Sequence, residues 1–433
     1  MSVRFPQSLR RARRTMPSKA TGVPSLVPSA VALANTEVAP EGTPDPTDRI
    51  TVLLGAGASR FAGAPSTNDL TALVERRPVG GKILAELRVR SESWEPNFED
   101  VLHVLEEVES YHSAVPSRAH VATRPFVALT EPLRSLLPDV LSARRERLAL
   151  IEEIASAFDG INYDASWRPL YRLLRPFLNT HNIDIFTLNY DLISDASAYA
   201  LSLVSGKHWF DGFGNPIDMD MNCGFRSDEY AGWDKTPLYI TLSHIHGSLR
   251  FAYNLSDVRM AYAEPIEIVS AQSFDIARAN WTDFHDIARD DESFSFFGVS
   301  PIVSGLRKSE KLNIRPYANY YAGLANAISK SPRLIVIGYG GGDEHINYWI
   351  RELNRIHPRD GRVIEITDQT NTLNFMSQKI AAYDLCWQTT SSPDLRVSRM
   401  GLPTLVYTKG LLADDETMPT AVFLRHFDGS AAT

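Results

Sequence analysis

The sequence predicts an α/β protein, in which a Rossmann-like, mostly parallel sheet carries helices on both faces. Short β-branched runs alternate along the chain with stretches of helical period, which is typical of a parallel sheet flanked by helices. Five runs are predicted as strands, at residues 50–54, 183–187, 239–243, 334–337 and 362–367. Two of the intervening stretches, 98–108 and 346–356, have a clear apolar stripe. The second of these helices is expected to end at His357, because the residue before Pro358 is biased away from helical geometry.

The spacing of the predicted strands is very uneven. About 130 residues separate the first two strands, which is far more than one crossover helix requires. A large helical insertion is therefore expected at about 68–180, and irregular insertions at about 205–235 and 250–316 are expected to cover one edge of the site. The Rossmann-like domain as a whole is expected to span 47–390, followed by a C-terminal extension at 391–433.

The first 46 residues differ in composition from the rest of the chain. They hold seven of the 26 prolines and a single aromatic residue, Phe5, and residues 1–36 contain six basic side chains and no acidic one. Such a segment cannot bury enough apolar surface to fold, so residues 1–46 are predicted to form a disordered basic head. A signal peptide and a transit peptide are the alternatives, since arginines precede a short apolar stretch.

The composition excludes several classes of protein. With 44 basic and 52 acidic residues among 433, the chain carries a formal charge of -8, which argues against nucleic-acid binding through bulk charge. The two cysteines, Cys223 and Cys386, cannot build a disulfide framework or a four-cysteine zinc site, and no metal ligands are predicted. No apolar run approaches the roughly 20 residues of a membrane span. The sequence therefore predicts a soluble protein of the reducing cytoplasm.

The first predicted strand runs into a glycine-rich turn, Gly55-Ala56-Gly57-Ala58-Ser59, and Pro65 and Ser66 follow a few residues later. A strand that enters a Gly-x-Gly turn lets the backbone approach a phosphate closely, and free amides opening the next helix can hold the anion. The spacing departs from G-x-G-x-x-G, and no acidic residue ends a second strand about 20 residues on, which disfavours an ordinary nicotinamide dehydrogenase. The turn predicts a dinucleotide-binding loop, with tight strand-helix packing as the alternative.

Polar side chains follow the next two predicted strands. Asn189 and Asp191 come after the second strand, in the crevice beyond the carboxyl ends where α/β sheets bind ligands, although they are equally placed to cap the next helix. His246 and Gly247 follow the third strand, and an imidazole that titrates near neutral pH suits general-base work. His244 lies two residues earlier, and only one of the two histidines is expected to face the site. A structural role is the alternative for either histidine.

The fourth predicted strand ends in a second glycine-rich turn, which begins with Gly338 and Tyr339 and reaches Asp343. Successive glycines indicate backbone that lies beside something bulky, here a ribose or an adenine. Capping of the following helix is the alternative role for Asp343, and His345 and Asn347 are assigned to the structure of that helix. One nucleotide-binding crevice explains all four motifs at once, because the carboxyl ends of parallel strands meet at one edge of the sheet.

The ordered motifs GAGAS, GAPS, TLNYD, HIHGS and IGYGGGDEHIN resemble the sirtuin superfamily, and within it the divergent sirtuin-like domain of bacterial antiphage defence proteins. The resemblance covers roughly residues 47–390. It implies NAD as the substrate, with its pyrophosphate over the first loop and its nicotinamide near Asp191. It also places the nicotinamide ribose near Asn189 and His246, and the adenosine toward Gly338.

The chain departs from standard sirtuins in two motifs and in its cysteines. Ser66-Thr67-Asn68 replaces an Asp-Phe-Arg sequence, and Leu188 stands where a glutamine is usual. Two cysteines cannot form the four-cysteine zinc ribbon that helps to shape the acyl-lysine groove, so no zinc is expected. These departures disfavour protein deacylation. They leave NAD hydrolysis open, because that reaction needs only bound NAD, an anchor for the nicotinamide and a base.

The resemblance implies an NAD hydrolase that cleaves the nicotinamide N-glycosidic bond and depletes NAD in abortive infection. In this interpretation Asp191 holds the carboxamide, Asn189 orients a ribose hydroxyl or the attacking water, and His246 removes the proton. Such an enzyme needs a silent state, and similar proteins imply a homo-oligomer, with a hexameric translocase-type ATPase as a candidate partner. The alternatives are an NAD-dependent deacylase or ADP-ribosyl transferase, and a non-catalytic sensor that binds NAD or an ADP-ribose signal.

Overall fold

The computed structural model describes residues 49–407 apart from several internal gaps. The gaps fall at 92–94, 113–134, 162, 179, 208, 214–222, 228–229, 231–238, 255–267, 272–273, 291–300, 305–307, 309–311, 313, 359–361, 367–386, 390–394 and 399–402. The predicted head at 1–46 and the end of the predicted extension, from residue 408 onward, lie outside the described residues.

The described residues form short strands and longer helices in alternation. The strands are β1 (Arg49–Leu54), β2 (Asn182–Thr187), β3 (Trp209–Phe210), β4 (Cys223–Gly224), β5 (Ile240–His244), β6 (Phe251–Tyr253), β7 (Ile268–Ser270), β8 (Arg333–Ile337), β9 (Arg362–Ile366), β10 (Trp387–Thr389), β11 (Leu395–Ser398) and β12 (Pro403–Tyr407). The helices are α1 (Thr67–Glu75), α2 (Pro78–Arg90), α3 (Phe98–His112), α4 (Val140–Ser156), α5 (Tyr163–Ser166), α6 (Arg168–Leu174), α7 (Ile193–Ser205), α8 (Phe274–Asp290), α9 (Tyr317–Lys330) and α10 (Glu344–Ile356). All five predicted strands are present, each within about one residue of its expected bounds.

The five predicted strands form the centre of one parallel sheet, in the order β9-β8-β1-β2-β5. β3 pairs in parallel with β5 at one edge, and β12 pairs in parallel with β9 at the other, where β11 and β10 follow in antiparallel pairing. The chain passes from β1 to β2 and β5 on one side, and then places β8 on the opposite side of β1. This reversal confirms the predicted Rossmann-like fold class and puts its switch point between the carboxyl ends of β1 and β8.

Side chains of the central strands alternate between two hydrophobic clusters, one on each face of the sheet. Val52 of β1 belongs to the cluster that contains Leu174 of α6 and Leu201 of α7. Its neighbour Leu53 belongs to the opposite cluster, with residues such as Leu324 of α9. Because helices cover both faces, β2 and β5 are buried along their whole length, and polar residues within them bond to each other, as Thr241 does to Asp184 at 2.8 Å.

Helices α1 to α6 lie between β1 and β2, in the range expected for the helical insertion. Within it, the buried carboxylate of Glu109 on α3 accepts hydrogen bonds from Arg144 and Arg147 on α4, at 2.7 and 2.8 Å. α3 also positions a residue of the site, because Glu99 lies in its first turn.

The main sheet extends into the predicted C-terminal extension, and the later insertions contain a second sheet. β11 and β12 fall within 391–433, so part of the predicted C-terminal extension pairs with the main sheet. A separate antiparallel sheet, in the order β4-β7-β6, lies within the later insertions. None of the helices in the described ranges has both the length and the apolar character of a membrane span.

Candidate active site

The loops after β1 and β8 pack directly against each other at the switch point of the sheet. Gly55 donates its amide to the carbonyl of Ile337, and Gly57 donates to the carbonyl of Gly338, both at 2.8 Å. A Cβ on Gly57 would lie 2.8 Å from Gly338 Cα, and a Cβ on Gly338, whose φ is 59°, would overlap the amide nitrogen of Ala58. These glycines are therefore required for backbone-to-backbone packing, which supports the alternative that their pattern left open.

The amides of the first loop are largely used within the protein. Besides those of Gly55 and Gly57, the amide of Ala58 donates to Gly55 O at 2.9 Å, and the amide of Ser59 donates to Ala56 O at 3.2 Å. Ala56 is exposed at the start of a short 3₁₀ turn. Four of the five amides from Gly55 to Ser59 are thus committed in this conformation, so a phosphate at this loop would have to replace some of these bonds.

The first α-helix among the described residues, α1, begins later, and Ser66 is its N-cap. The Ser66 hydroxyl accepts a hydrogen bond from the Asp69 amide at 3.2 Å, and the Asp69 carboxylate accepts one from the Ser66 amide at 2.8 Å. This reciprocal capping box satisfies the first turn of α1. Pro65 lies half-buried just before it. Pro65 and Ser66 therefore begin α1 in this structure, and their contact with NAD stays a prediction.

Ser59, Asn189 and Asp191 come together between the ends of β1 and β2, and we call these three buried side chains the Ser59 group. Asn189 Nδ2 donates to Ser59 Oγ at 2.9 Å. Asp191 Oδ1 accepts from the amide of Ile193 at 2.9 Å, at the start of α7, so Asp191 also serves that helix. Burial raises the pKa of the Asp191 carboxyl, while hydrogen bonds from Ser59 and the Ile193 amide oppose the shift.

A small pocket lies beside the Ser59 group. Its empty space is about 280 Å³ with the open mouth included, and it is lined by Ser59, Asn189 and Ser194 together with Leu54, Ala58, Leu170, Ile193 and Ile337. The enclosed part of this space is only about 10 Å³, which is room for a single water molecule. A ring, a sugar or a dinucleotide therefore fits here only if the surrounding loops move apart.

The two histidines at the end of β5 lie in different surroundings, because β5 ends at His244 and His246 lies on the turn that follows. His244 is fully buried, and its Nε2 lies 3.2 Å from Asp195 Oδ2. Arg250 approaches the same aspartate at 3.4 Å and also pairs with Asp211. We call these four side chains the His244 network. It holds α7 to the segments that follow β3 and β5, which is a structural role.

His246 lies on the turn after β5 and faces a second set of polar side chains. Its Nε2 lies 3.2 Å from His345 Nε2 and 3.8 Å from Asp343 Oδ1. Lys308 Nζ lies 2.8 Å from Asp343 Oδ1 and 2.8 Å from Glu99 Oε1. We call these five side chains the His246 cluster. It brings the turn after β5, the start of α10 and the first turn of α3 to one place.

Burial favours the neutral form of both imidazoles in the His246 cluster, because it lowers their pKa values. Burial holds the pKa of His246 well below its ordinary value, and Lys308 acts in the same direction against the opposing charge of Asp343. Burial also lowers the pKa of His345. Burial opposes the charged forms of Asp343 and Lys308. Their mutual attraction outweighs burial, so it lowers the pKa of the Asp343 carboxyl and raises the pKa of the Lys308 ammonium. The cluster therefore combines two imidazole lone pairs with a buried ion pair.

The segment 301–304 covers the turn that carries His246. Val303 donates its amide to the carbonyl of His246 at 2.7 Å. Gly247 has a φ of 89°, and a Cβ there would overlap the carbonyl oxygen of Pro301. Gly247 is therefore required by the left-handed backbone and by the close approach of this segment. Its predicted contact with NAD stays a prediction.

The loop after β8 connects the first loop to the His246 cluster. Tyr339 is buried, and its hydroxyl accepts from the Asp343 amide and donates to Asn347 Oδ1, both at 2.9 Å. Asn347 Nδ2 in turn donates to the Gly341 carbonyl at 2.8 Å. Asp343 occupies the N-cap position of α10, yet its carboxylate bonds to Lys308 and makes no side-chain cap. Asn347 is structural, as predicted, whereas the Asp343 side chain belongs to the cluster.

The structure thus brings the predicted site residues together in two groups. Ser59 lies with Asn189 and Asp191, and His246 lies with Asp343. Between the described residues, no hydrogen bond or ion pair joins His246 to the Ser59 group. The loop after β8 links the two groups. Its first residue, Gly338, packs against Gly57 near the Ser59 group, and Asp343 at its other end belongs to the His246 cluster.

Sequence reasoning missed three members of the His246 cluster: His345, Lys308 and Glu99. His345 is assigned to helix structure by its apolar neighbours, although its position two residues after Asp343 is a signal that could have been used. Lys308 and Glu99 belong to the two insertions and lie far from the motifs along the chain. Nothing in the local pattern of either residue indicates its partner.

Comparison with known proteins finds a similarity to a solved structure but none at the level of sequence. No protein-family model matches the chain, and no curated protein matches it. A solved structure from work on the structural basis for the mechanism and regulation of Sir2 enzymes is similar over 78% of this chain and 85% of its own chain, with 10% sequence identity and a TM-score of 0.28. The chemistry of the site therefore has to be inferred from the residues themselves.

Proposed function

We propose that this protein is a sirtuin-like NAD hydrolase, which binds NAD at the switch point of the sheet and cleaves the nicotinamide N-glycosidic bond. The observation that carries the proposal is the convergence of Ser59, Asn189 and Asp191 between the ends of β1 and β2, beside a small pocket that extends to Ile337 at the end of β8. Open α/β sheets bind ligands where the strand order reverses. The motif resemblance supplies the identity of the ligand, and His246 follows the next strand of the same sheet.

The residues can be assigned to the steps of a balanced hydrolysis. Water oxygen bonds to C1′ of the ribose as the bond from C1′ to the nicotinamide nitrogen breaks, and the electron pair of that bond stays on the nitrogen. Nicotinamide leaves as a neutral group, and the transition state resembles an oxocarbenium ion. Neutral His246 accepts the proton that water loses. Asp191 holds the carboxamide, and Asn189, whose Nδ2 already donates to Ser59, accepts from a hydroxyl or the water through Oδ1.

In the described conformation both halves of this site are engaged with other parts of the protein. The loops after β1 and β8 bond to each other, and His246 Nε2 lies within hydrogen-bonding distance of His345. NAD has to replace these contacts before it can react. This arrangement supports the interpretation that the hydrolase is silent until a trigger rearranges the site.

Chromatography of the products tests the proposal. Purified full-length protein is incubated with NAD, and nicotinamide, ADP-ribose and cyclised products are resolved. We expect nicotinamide and ADP-ribose in equal amounts. His246→Ala should lower the rate by about 10²–10⁴-fold, because a general base contributes a factor of this size. His357→Ala is the matched control, since His357 bonds to the Ile328 carbonyl away from the site and its loss should leave the rate unchanged.

Three outcomes would contradict hydrolysis. An O-acyl-ADP-ribose product from an acylated peptide indicates a deacylase, and transfer of ADP-ribose to a protein indicates a transferase. Tight binding of NAD or ADP-ribose without turnover over hours indicates a non-catalytic sensor. If the His246→Ala variant releases nicotinamide at the wild-type rate, the His246 imidazole is not the general base.

The motif resemblance also supports a proposal about the cellular role. We propose that the hydrolase depletes cytoplasmic NAD as the effector of an antiphage system, as a homo-oligomer with a hexameric translocase-type ATPase as its candidate partner. NAD should fall in infected cells that express the wild-type protein and stay constant in cells that express His246→Ala. The mass of the assembly, measured with and without the candidate ATPase, tests the oligomer and the partner.

A further inference from the structure

We propose that His246, Asp343 and His345 form a binding site for a divalent transition-metal ion of the Zn²⁺ class. Within the described part of the chain, this is the one group of three metal-ligating side chains whose ligand atoms all lie within 4.8 Å of one another. The residues come from the turn after β5 and from the start of α10. Two imidazoles and one carboxylate are the donor set of several zinc sites that keep one position open.

The distances within the group support this assignment. Zn²⁺ binds nitrogen and oxygen ligands at about 2.0–2.2 Å in tetrahedral geometry, so two ligand atoms on one ion lie about 3.3–3.5 Å apart. The Nε2 atoms of His246 and His345 are 3.2 Å apart, and His246 Nε2 is 3.8 Å from Asp343 Oδ1. The two imidazole nitrogens already have nearly the separation that one ion requires, but both rings have to turn their lone pairs from each other towards the ion, and the Asp343 carboxylate has to move closer to His246.

The types of ligand select the kind of ion. Imidazole is a good ligand for zinc, copper and nickel, whereas magnesium and calcium prefer oxygen ligands. The site is half-open, because Asp343 and His345 are only partly buried, so an ion can reach it from solvent.

Lys308 competes with the ion for Asp343. Its ammonium lies 2.8 Å from the same Oδ1 atom that would bind the metal, so it neutralises the carboxylate in the described conformation. Lys308 also has Glu99 as a partner at 2.8 Å, and that ion pair can persist when Asp343 turns to a metal. Removal of the lysine charge should therefore strengthen metal binding, while removal of any ligand should weaken it.

One consequence rests on the proposed function. The ion would occupy the Nε2 lone pair of His246, which is the atom that has to accept a proton from water. Bound Zn²⁺ and NAD hydrolysis should therefore exclude each other at this imidazole. Binding of the ion at His246 would then inhibit NAD hydrolysis.

Metal titration with optical detection tests the site without any measurement of turnover. Chelator-treated full-length protein is titrated with Co²⁺, whose visible absorption reports imidazole ligation, and the bound Co²⁺ is then displaced by Zn²⁺. We expect one ion per chain. His345→Ala and Asp343→Asn should each weaken binding by at least about 100-fold, because loss of even an outer-shell partner costs 10–100-fold. Lys308→Met should strengthen it by about three- to tenfold, as expected for removal of one nearby charge.

The controls separate loss of a ligand from misfolding and from metal binding elsewhere on the chain. His357→Ala removes a histidine outside the cluster and should bind Co²⁺ like the wild type. Thermal melting of each variant shows whether it is folded, so that a loss of binding reports the ligand. Equal affinity in the wild type, His345→Ala and Asp343→Asn would overturn the proposal, and so would the absence of binding at millimolar Co²⁺ and Zn²⁺. Zn²⁺ binding by a protein that never cleaves NAD would support the site and overturn only the hydrolase.

Discussion

The His244 network and the His246 cluster contain the same kinds of side chains, two residues apart on one strand end, and yet they differ in solvent access. His244 and its partners Asp195, Arg250 and Asp211 are all at most 4% exposed. In the cluster the Asp343 side chain is 17% exposed, and its lysine has a second carboxylate within reach. A sealed ion network holds elements together, whereas a half-open cluster can exchange one partner for another. The end of β5 therefore places a sealed ion network and a half-open polar cluster only two residues apart along the chain.

The largest effect on stability is expected for the sealed network. Arg250→Met leaves the carboxylates of Asp195 and Asp211 buried without their cation, which should lower the free energy of unfolding by about 3–5 kcal/mol. His246→Ala should cost only about 1–2 kcal/mol, because its neighbours keep one another as partners. Urea unfolding of both variants measures the difference. Equal losses would mean that the cluster is also a structural network and would break the comparison.

Acid should reduce the difference between the Arg250→Met variant and the wild type. Burial alone would raise the pKa of Asp195, but His244 and Arg250 lower it in the folded protein. A carboxyl with a lowered folded pKa contributes stability above its unfolded pKa of about 3.9, and this contribution is lost as the pH falls. The variant lacks part of that contribution at pH 7, so the two free energies of unfolding should converge below about pH 4.

Unfolding curves between pH 7 and pH 3 test this convergence. A gap that stays constant over the whole range would show that Arg250 acts through packing and not through the Asp195 charge. A gap that widens in acid would contradict the direction of the shift.

The smallest effect on stability is expected for Ser66, the N-cap of α1, and it can be compared with Ser59 of the first loop. Ser66 is assigned a structural role, whereas Ser59 bonds to a proposed catalytic residue. Ser66→Ala removes the capping box of α1 and should lower the free energy of unfolding by about 1 kcal/mol, with Ser66→Asp restoring it. NAD turnover should be little changed. Ser59→Ala should instead reduce turnover, because it releases Asn189. A raised KM for NAD in Ser66→Ala, at an unchanged free energy of unfolding, would show instead that Ser66 contributes to NAD binding.

The parts of the fold that could be predicted are those that local pattern dictates. The buried parallel strands appear as β-branched runs, and the structure has them within about one residue of the expected bounds. The different surroundings of His244 and His246 could not be predicted from the period of a strand, because residues two apart share a face; they arise because β5 ends at His244 and the chain turns before His246. The meaning of Gly55, Gly57 and Gly338 was ambiguous for a physical reason: a glycine that lets a phosphate approach and one that lets another loop approach satisfy the same steric requirement. Here the neighbouring loop fills that space.

By itself, the order of residues determined the class of fold, the four strand-end motifs and the choice of His246 as a candidate base. Only the tertiary structure decided which side chains meet. Glu99 and Lys308 come from two insertions and His345 comes from the start of α10, and all three lie beside His246 only because these distant parts of the chain pack around one turn. Local patterns record what each segment must bury or hydrogen-bond, but they carry no information on which distant charge will neutralise a buried carboxylate, since that depends on how the whole chain packs.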